Sequence, residues 1–417
     1  MARAPLPRSG LRSDEPSCAP NPFTQRTDWD RTENPLTTLL AAAARAGREL
    51  TDLTESNPTR AGIVDTEPLV GLLGHPRGAT YAPISLGHPK ARAAVAASFH
   101  ERGLPAREDR VVLSASTSEA YTWLFKLLCE RGDRVLVPAP SYPLFEFLAR
   151  LEDVELAMYP LVREEGFRID LGALDRAAEE AQGHARAIVL VHPNNPTGTF
   201  VRRDDAAEVG RIAARHGMAL IVDEVFAEYP HGALPADRLP SFAGEREALT
   251  FVLGGLSKSL LLPQCKLGWT LVYGPDALCD EAIARLELIA DTYLSASTPV
   301  QLALPELLAA RASVQGPVRA RTAENLAALD RALVAAGEDA AVRRLPTDGG
   351  WYAILEVPRT RDEDAWVEML VREHGIVVHP GYFFDMEREG FLVVSLLPRP
   401  EVFARAIEIV VTSVAKG

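Results

Sequence analysis

"AIVLVHPNNPTGTFVRRDDAAEVGRIAARHGMALIVDE" (residues 187–224) holds two apolar runs with a helical pattern between them. AIVLVHP (187–193) and MALIVDE (218–224) are rich in Val, Ile and Leu and end in Pro or acids. They read as buried strands. The intervening DDAAEVGRIAARHG (204–217) opens on acids and closes on Gly217, as a capped helix does. Strand, helix and strand in one short span make a β-α-β unit. Such units build parallel sheets covered by helices on both faces.

The same texture runs outward from this unit. RVVLS (110–114) precedes a helical pattern, and RVLVPAP (134–140), VELAMYPL (154–161), TFVLGG (250–255) and WTLVYG (269–274) read as further buried strands. From about residue 275 the pattern changes. Helical sequence dominates 276–336, with a polar break near 312–317. GGWYAILEV (349–357) then reads as a strand, DEDAWVEMLVREHG (362–375) as a helix, and IVVHPG and FLVVSLL as short strands. The expected fold is α/β: a large domain with a mostly parallel sheet flanked by helices, plus a smaller α+β domain.

Composition narrows the function. The 417 residues are 47% hydrophobic and 24% charged, ordinary for a globular protein. A net charge of −13 without a long basic run argues against nucleic acid or an anionic membrane as partner. Cys18, Cys129, Cys265 and Cys279 form no C-x-x-C and suggest no metal site, so a reduced, cytoplasmic setting is expected. The N-terminus is basic at first but lacks the apolar core of a signal peptide. No apolar stretch is long enough to span a bilayer.

Ligands of open α/β sheets bind at the carboxyl ends of the strands, so the residues after each strand matter most. After 110–114 comes ASTSEA, where Ser116 to Glu119 spell S-x-x-E. That is a capping box and equally a helix start that can face an anion. After 134–137 comes Tyr142 in PAPSYPLF; after 187–191 the turn HPNNPTG; after 218–222 the acid Asp223; after 250–253 Lys258. Hydroxyls at a helix start, an aromatic face, an amide, a carboxylate and a lysine would suit a cofactor with a phosphate, a ring and an aldehyde. Pyridoxal phosphate is such a cofactor.

HPNNPTG, then VDEVFAEY with Asp223 28 residues after Asn195, then LSK with Lys258 35 residues after Asp223, resembles the class I/II aminotransferases, which are fold-type-I pyridoxal-phosphate enzymes. YAPISLGHPKARAAVA (81–96) is similar to a segment that lies near the family's dimer interface. The resemblance runs from about residue 30 to the end. It implies that Lys258 carries pyridoxal 5′-phosphate as a Schiff base and moves the proton. Asp223 would pair with the ring nitrogen, Asn195 with the ring oxygen, and Tyr142 would stack on the ring. Ser116, Thr117 and Ser118 would surround the phosphate, and Tyr81 would reach a neighbouring subunit's phosphate in a homodimer. It also implies a division into a flexible N-terminal arm (1–28), a segment joining the small domain (29–65), a large cofactor-binding domain (66–300) and a small C-terminal domain (301–417).

The departures from the family pattern are specific. Lys266 stands where an arginine usually clamps the phosphate, supplying charge without the bidentate fork. Gly255 replaces a serine three places before Lys258, with Ser257 as its possible substitute. Phe226 replaces a tyrosine that would donate to the ring oxygen. Val393 in FLVVSLL stands where many members carry the arginine that grips the substrate carboxylate. Arg60, Arg399 and Asn57 are the candidate replacements. The implied activity is transfer of an amino group from an amino acid or amine to a 2-oxo acid in two ping-pong half-reactions. A C–S lyase or a decarboxylase could use the same scaffold. A non-catalytic regulatory module would need a DNA-binding domain, for which the first 30 residues are too short.

Overall fold

The structure is a computed structural model that describes residues 22–416 apart from 33 and 338. The arm expected over 1–28, and Cys18, therefore lie largely outside the described residues. Its described end packs on the helix Phe145–Leu151: Arg150 donates to the carbonyls of Gln25 and Asp28 at 3.0 and 2.9 Å.

Eight strands form the large sheet: β1 (Val111–Ser114), β2 (Arg134–Ala139), β3 (Glu155–Val162), β4 (Arg168–Ile169), β5 (Ala185–Val191), β6 (Ala219–Asp223), β7 (Thr250–Gly255) and β8 (Gly268–Tyr273). Their spatial order is β1-β8-β7-β6-β5-β2-β3-β4. The pairs β2–β3, β2–β5, β5–β6 and β6–β7 are parallel. β8 runs antiparallel to β1 and β7, and β4 antiparallel to β3.

Alternation along each strand divides the interior in two. In β5, Ile188 and Leu190 enter one apolar cluster, with Leu220 and Val222 of β6. Ala187, Val189 and Val191 enter another, with Ile221, Phe251 and Leu253. The helix Arg203–His216 covers the first face through Val209 and Ile212. The helices Thr117–Leu128 and Asp276–Tyr293 cover the second through Trp123, Leu124 and Leu286. Gly217 ends the 203–216 helix at φ +66°, the left-handed cap its sequence position implies.

The first cluster continues into a four-stranded antiparallel sheet made of β9 (Arg343–Arg344), β10 (Tyr352–Glu356), β11 (His379–Pro380) and β12 (Phe391–Ser395). Thr51–Asp52 pairs in parallel with Ile376–Val377 and so ties early sequence to late sequence. The polar break expected near 312–317 falls at Ala310, between the helices Thr298–Ala309 and Arg311–Ala336, so 312–317 itself is helical. An earlier break follows Tyr293, where Leu294 takes φ +47°. Burial of Val314, Gln315 and Val318 overrides the turn-like composition.

Gly198 joins the two sheets. It sits at φ +70°, and a Cβ there would lie 2.0 Å from Thr347 Oγ1 and 2.2 Å from the Gly349 carbonyl. Strain and overlap add at this position. Gly198→Ala is expected to cost about 3 kcal/mol or more, read as a lower denaturation midpoint. An unchanged midpoint would mean that the two turns separate freely.

Candidate functional site

The carboxyl ends of β1, β5, β6 and β7 open on one cavity of about 280 Å³. It is lined by Ser116, Thr117, Ser118, Tyr142, Asn195, Asp223, Phe226, Ser257, Lys258 and Lys266, so ten of the sequence-derived residues meet there. Tyr81 is not among them. It is exposed and lines a separate hollow with Ile84, Trp123 and Leu294. Arg60, Arg399 and Asn57 are also absent from the lining.

Close backbone approach shapes one wall. Gly255 of β7 faces Gly268 of β8 in register. A Cβ on Gly255 would meet the Leu267 carbonyl at 3.1 Å, and one on Gly268 would meet the Ser116 carbonyl carbon at 3.0 Å and Thr117 N at 3.1 Å. The expected serine therefore has little room at 255, and the glycines let the helix Thr117–Leu128 begin against the strand ends. Ser116 Oγ accepts from Glu119 N at 3.1 Å, while Glu119 accepts from Ala115 N at 2.7 Å. The capping box is real, shifted by one residue on the glutamate side. It turns the helix start, with its positive dipole end, into the cavity. Lys266 adds a cation there; it is exposed and held at φ +51°.

Asp223 ends β6. Its carboxylate accepts from Val225 N at 3.1 Å and from the Tyr121 hydroxyl at 3.4 Å. Burial nevertheless raises its pKa to about 6, against the opposing pull of those donors and of Lys258. Burial also lowers Lys258 to about 8, partly resisted by Asp223. The Lys258 ammonium lies 5.0 Å from the Trp351 ring centroid and 5.5 Å from that of Phe226. The Tyr229 hydroxyl anchors the Lys258 carbonyl at 2.5 Å. The turn carrying Asn195 is locked by Gly198 N to Asn194 O at 2.7 Å and Thr197 Oγ1 to Asn194 Oδ1 at 3.1 Å. Asn195 Oδ1 is buried without a hydrogen-bond partner, a cost unless something else fills the cavity.

The sequence model described as aminotransferase class I and II matches residues 57–410, most of the chain. The chain belongs to that family. It is similar to nicotianamine aminotransferase B of Hordeum vulgare, 31% identical over 233 residues that cover 54% of this chain and 41% of the relative. It is similar to alanine aminotransferase of Mycobacterium tuberculosis, 28% identical over 304 residues, 72% of this chain and 70% of that one. The chain thus spans less than half the length of the nicotianamine enzyme it matches. Among solved structures, an aminotransferase from Escherichia coli superposes with a TM-score of 0.79 over 96% of this chain and 99% of that one, at 21% identity. That likeness carries the fold.

Within this class I and II family chain, local sequence reading misses several lining or supporting residues: Tyr121, Ser56, Tyr352, Trp351 and Tyr229. Tyr121 in EAYTWLF and Trp351–Tyr352 in GGWYAILEV read as core aromatics, and they are mostly buried. Val393 has no exposure and pairs across strands with Ile354 and His379, so it takes no part in the lining.

Proposed function

We propose that this chain is a pyridoxal-phosphate-dependent aminotransferase that moves an amino group from an amino acid or amine to a 2-oxo acid. The observation that carries this reading is the meeting of Lys258 and Asp223 in one cavity, each displaced by burial in opposite directions. Opposed shifts of this kind mark working acid–base pairs.

The donor set fits the cofactor. The helix start at Ser116–Ser118 and the Lys266 ammonium suit its phosphate. The Asn195 side-chain N–H suits its ring oxygen, Asp223 its ring nitrogen, Tyr142 its ring face, and Lys258 its aldehyde. Bound there, pyridoxal phosphate supplies an electron sink for charge developing at the donor's α-carbon. Asp223 would hold the cofactor through its ring nitrogen and keep a proton there. Lys258 Nζ, as a neutral amine, takes the proton from the donor's α-carbon. Trp351 and Phe226 keep water from that nitrogen.

A homodimer fits the surface. Tyr81, Leu288, Tyr293 and Leu294 are exposed apolar side chains, and Tyr81 stands outside its own chain's cavity. Cys129, Cys265 and Cys279 are free, which supports a reducing, cytoplasmic compartment. Among the described residues no helix is long and apolar enough to cross a membrane.

The test is a half-reaction screen. Holoenzyme is mixed with single amines and amino acids, and the cofactor's absorbance band is followed. Bleaching that a 2-oxo acid reverses is expected. Ammonia or carbon dioxide release without reversal would mean elimination or decarboxylation instead. Lys266 gives a second prediction. A charged hydrogen bond to phosphate contributes about 1.5–3 kcal/mol, so Lys266→Ala should weaken cofactor affinity roughly 10- to 100-fold. Lys266→Arg should keep it. Equal dissociation constants for wild type and Lys266→Ala would remove Lys266 from the site.

A further inference from the structure

The cavity wall nearest the small sheet is neutral. Tyr352 of β10 lines it, with Ser56 beside it, and the Ser56 side chain hydrogen-bonds the Tyr352 phenol. Ser395 of β12 stands opposite Tyr352 in register, and its hydroxyl donates to the Glu55 carbonyl at 2.7 Å. The backbone carrying Ser56 is thereby pinned to the sheet that carries Tyr352. Both hydroxyls are placed by rigid elements rather than by a free loop.

No guanidinium reaches this wall among the described residues. The cationic side chains in the lining are Lys258 and Lys266. Arg60 is 65% exposed and faces Glu55 at 3.7 Å. Arg399 is 69% exposed and faces Glu401 at 3.7 Å.

We propose, on the basis of the aminotransferase reading, that Ser56 and Tyr352 determine specificity by holding the donor's group next to the reacting carbon through neutral hydroxyls. The site then takes α-amino acids and their uncharged derivatives, amides and amino alcohols, alike. A hydroxyl donates to a carboxylate oxygen and to an amide oxygen in the same geometry, and it can also accept from an amide N–H. A guanidinium cannot accept, and its paired, charge-assisted bonds select for the anion. A wall of hydroxyls has no charge with which to make that choice.

The experiment uses holoenzyme with L-alanine and L-alaninamide in the half-reaction. Their kcat/KM values are expected to agree within about tenfold, as for neutral hydrogen bonds. Ser56→Ala and Tyr352→Phe should each lower both values in parallel, about tenfold, with the loss mainly in KM. Calorimetry with the unreactive pair propionate and propionamide gives a second readout: similar affinities, weakened together by either substitution. A preference for alanine above about a hundredfold, or one that vanishes in Arg60→Ala or Arg399→Ala, would overturn the proposal. So would variants at Ser56 and Tyr352 that change neither donor nor either unreactive ligand. If no donor reacts at all, the transfer reading fails, and the calorimetric pair still decides the role of Ser56 and Tyr352.

Discussion

Lys258→Ala should lose roughly two to four orders of magnitude in turnover, and borohydride should no longer fix the cofactor to the protein. The reasoning starts from the amine. Burial beside Trp351 and Phe226 lowers its pKa to about 8. At pH 7 about one such amine in ten is neutral, against roughly one in three thousand for an ordinary lysine. Only the neutral form is a nucleophile or a base. Covalent capture of added cofactor by the cofactor-free protein should therefore speed up as pH rises toward 8 and then level off. The stability signature has a definite sign. The unfolded chain binds more protons than the native one between pH 8 and 10.5, so this amine's penalty is full below pH 8 and fades above it. Lys258→Met should therefore be more stable than wild type at pH 7 when both lack cofactor, with a flatter profile above pH 8. Peptide mapping after borohydride reduction checks the assignment, and a label on Lys266 would reverse the roles of the two lysines.

The parts of this fold that a sequence displays are those whose burial imposes a pattern. β5, β6 and β7 sit inside the sheet and read as continuous apolar runs because both their faces are covered. β8 reads the same way although it runs antiparallel, since burial carries no direction. The two-residue strands β4 and β9, and the pairing of Thr51–Asp52 with Ile376–Val377, are too short to leave a period. In the site, Asp223 and Lys258 were legible because the first ends an apolar strand and the second follows one by three residues, each with an ionisable group. Trp351 was not, because it approaches Lys258 from 93 residues away, just before β10, in a stretch that reads as core. Contacts of that span leave no local trace. Arg60 and Arg399, the candidate replacement clamps, lie outside the cavity lining for a related reason. Their spacing from Val393 or Ser56 says nothing about which way a long, exposed side chain turns, and each turns toward a nearby glutamate.

Asp223→Asn should slow the half-reaction by on the order of 10²–10³-fold while making the cofactor-free protein more stable. The two effects share one cause. Few donors reach this carboxylate, and burial raises its pKa from 3.8 to about 6. In that window the native chain binds more protons than the unfolded one. Stability therefore falls as pH rises from about 4 to 6, and the penalty is fully present above pH 6. A shift of about two units corresponds to roughly 3 kcal/mol, the cost of keeping an ionised acid ready in a buried place. A cationic ring nitrogen beside Asp223 removes that cost, so cofactor binding should raise the melting temperature of wild type more than that of Asp223→Asn. Asparagine keeps the shape but cannot hold a positive ring by charge. A cofactor analogue methylated at the ring nitrogen, which is permanently charged, should restore part of the lost rate. The decisive measurement is paired: melting of the cofactor-free proteins across pH 4–8, and the half-reaction rate of the loaded ones. A variant that keeps full rate sinks the electron-sink role of Asp223. One that loses rate but gains no stability above pH 6 shows that the carboxylate is better solvated in the empty pocket than its burial implies.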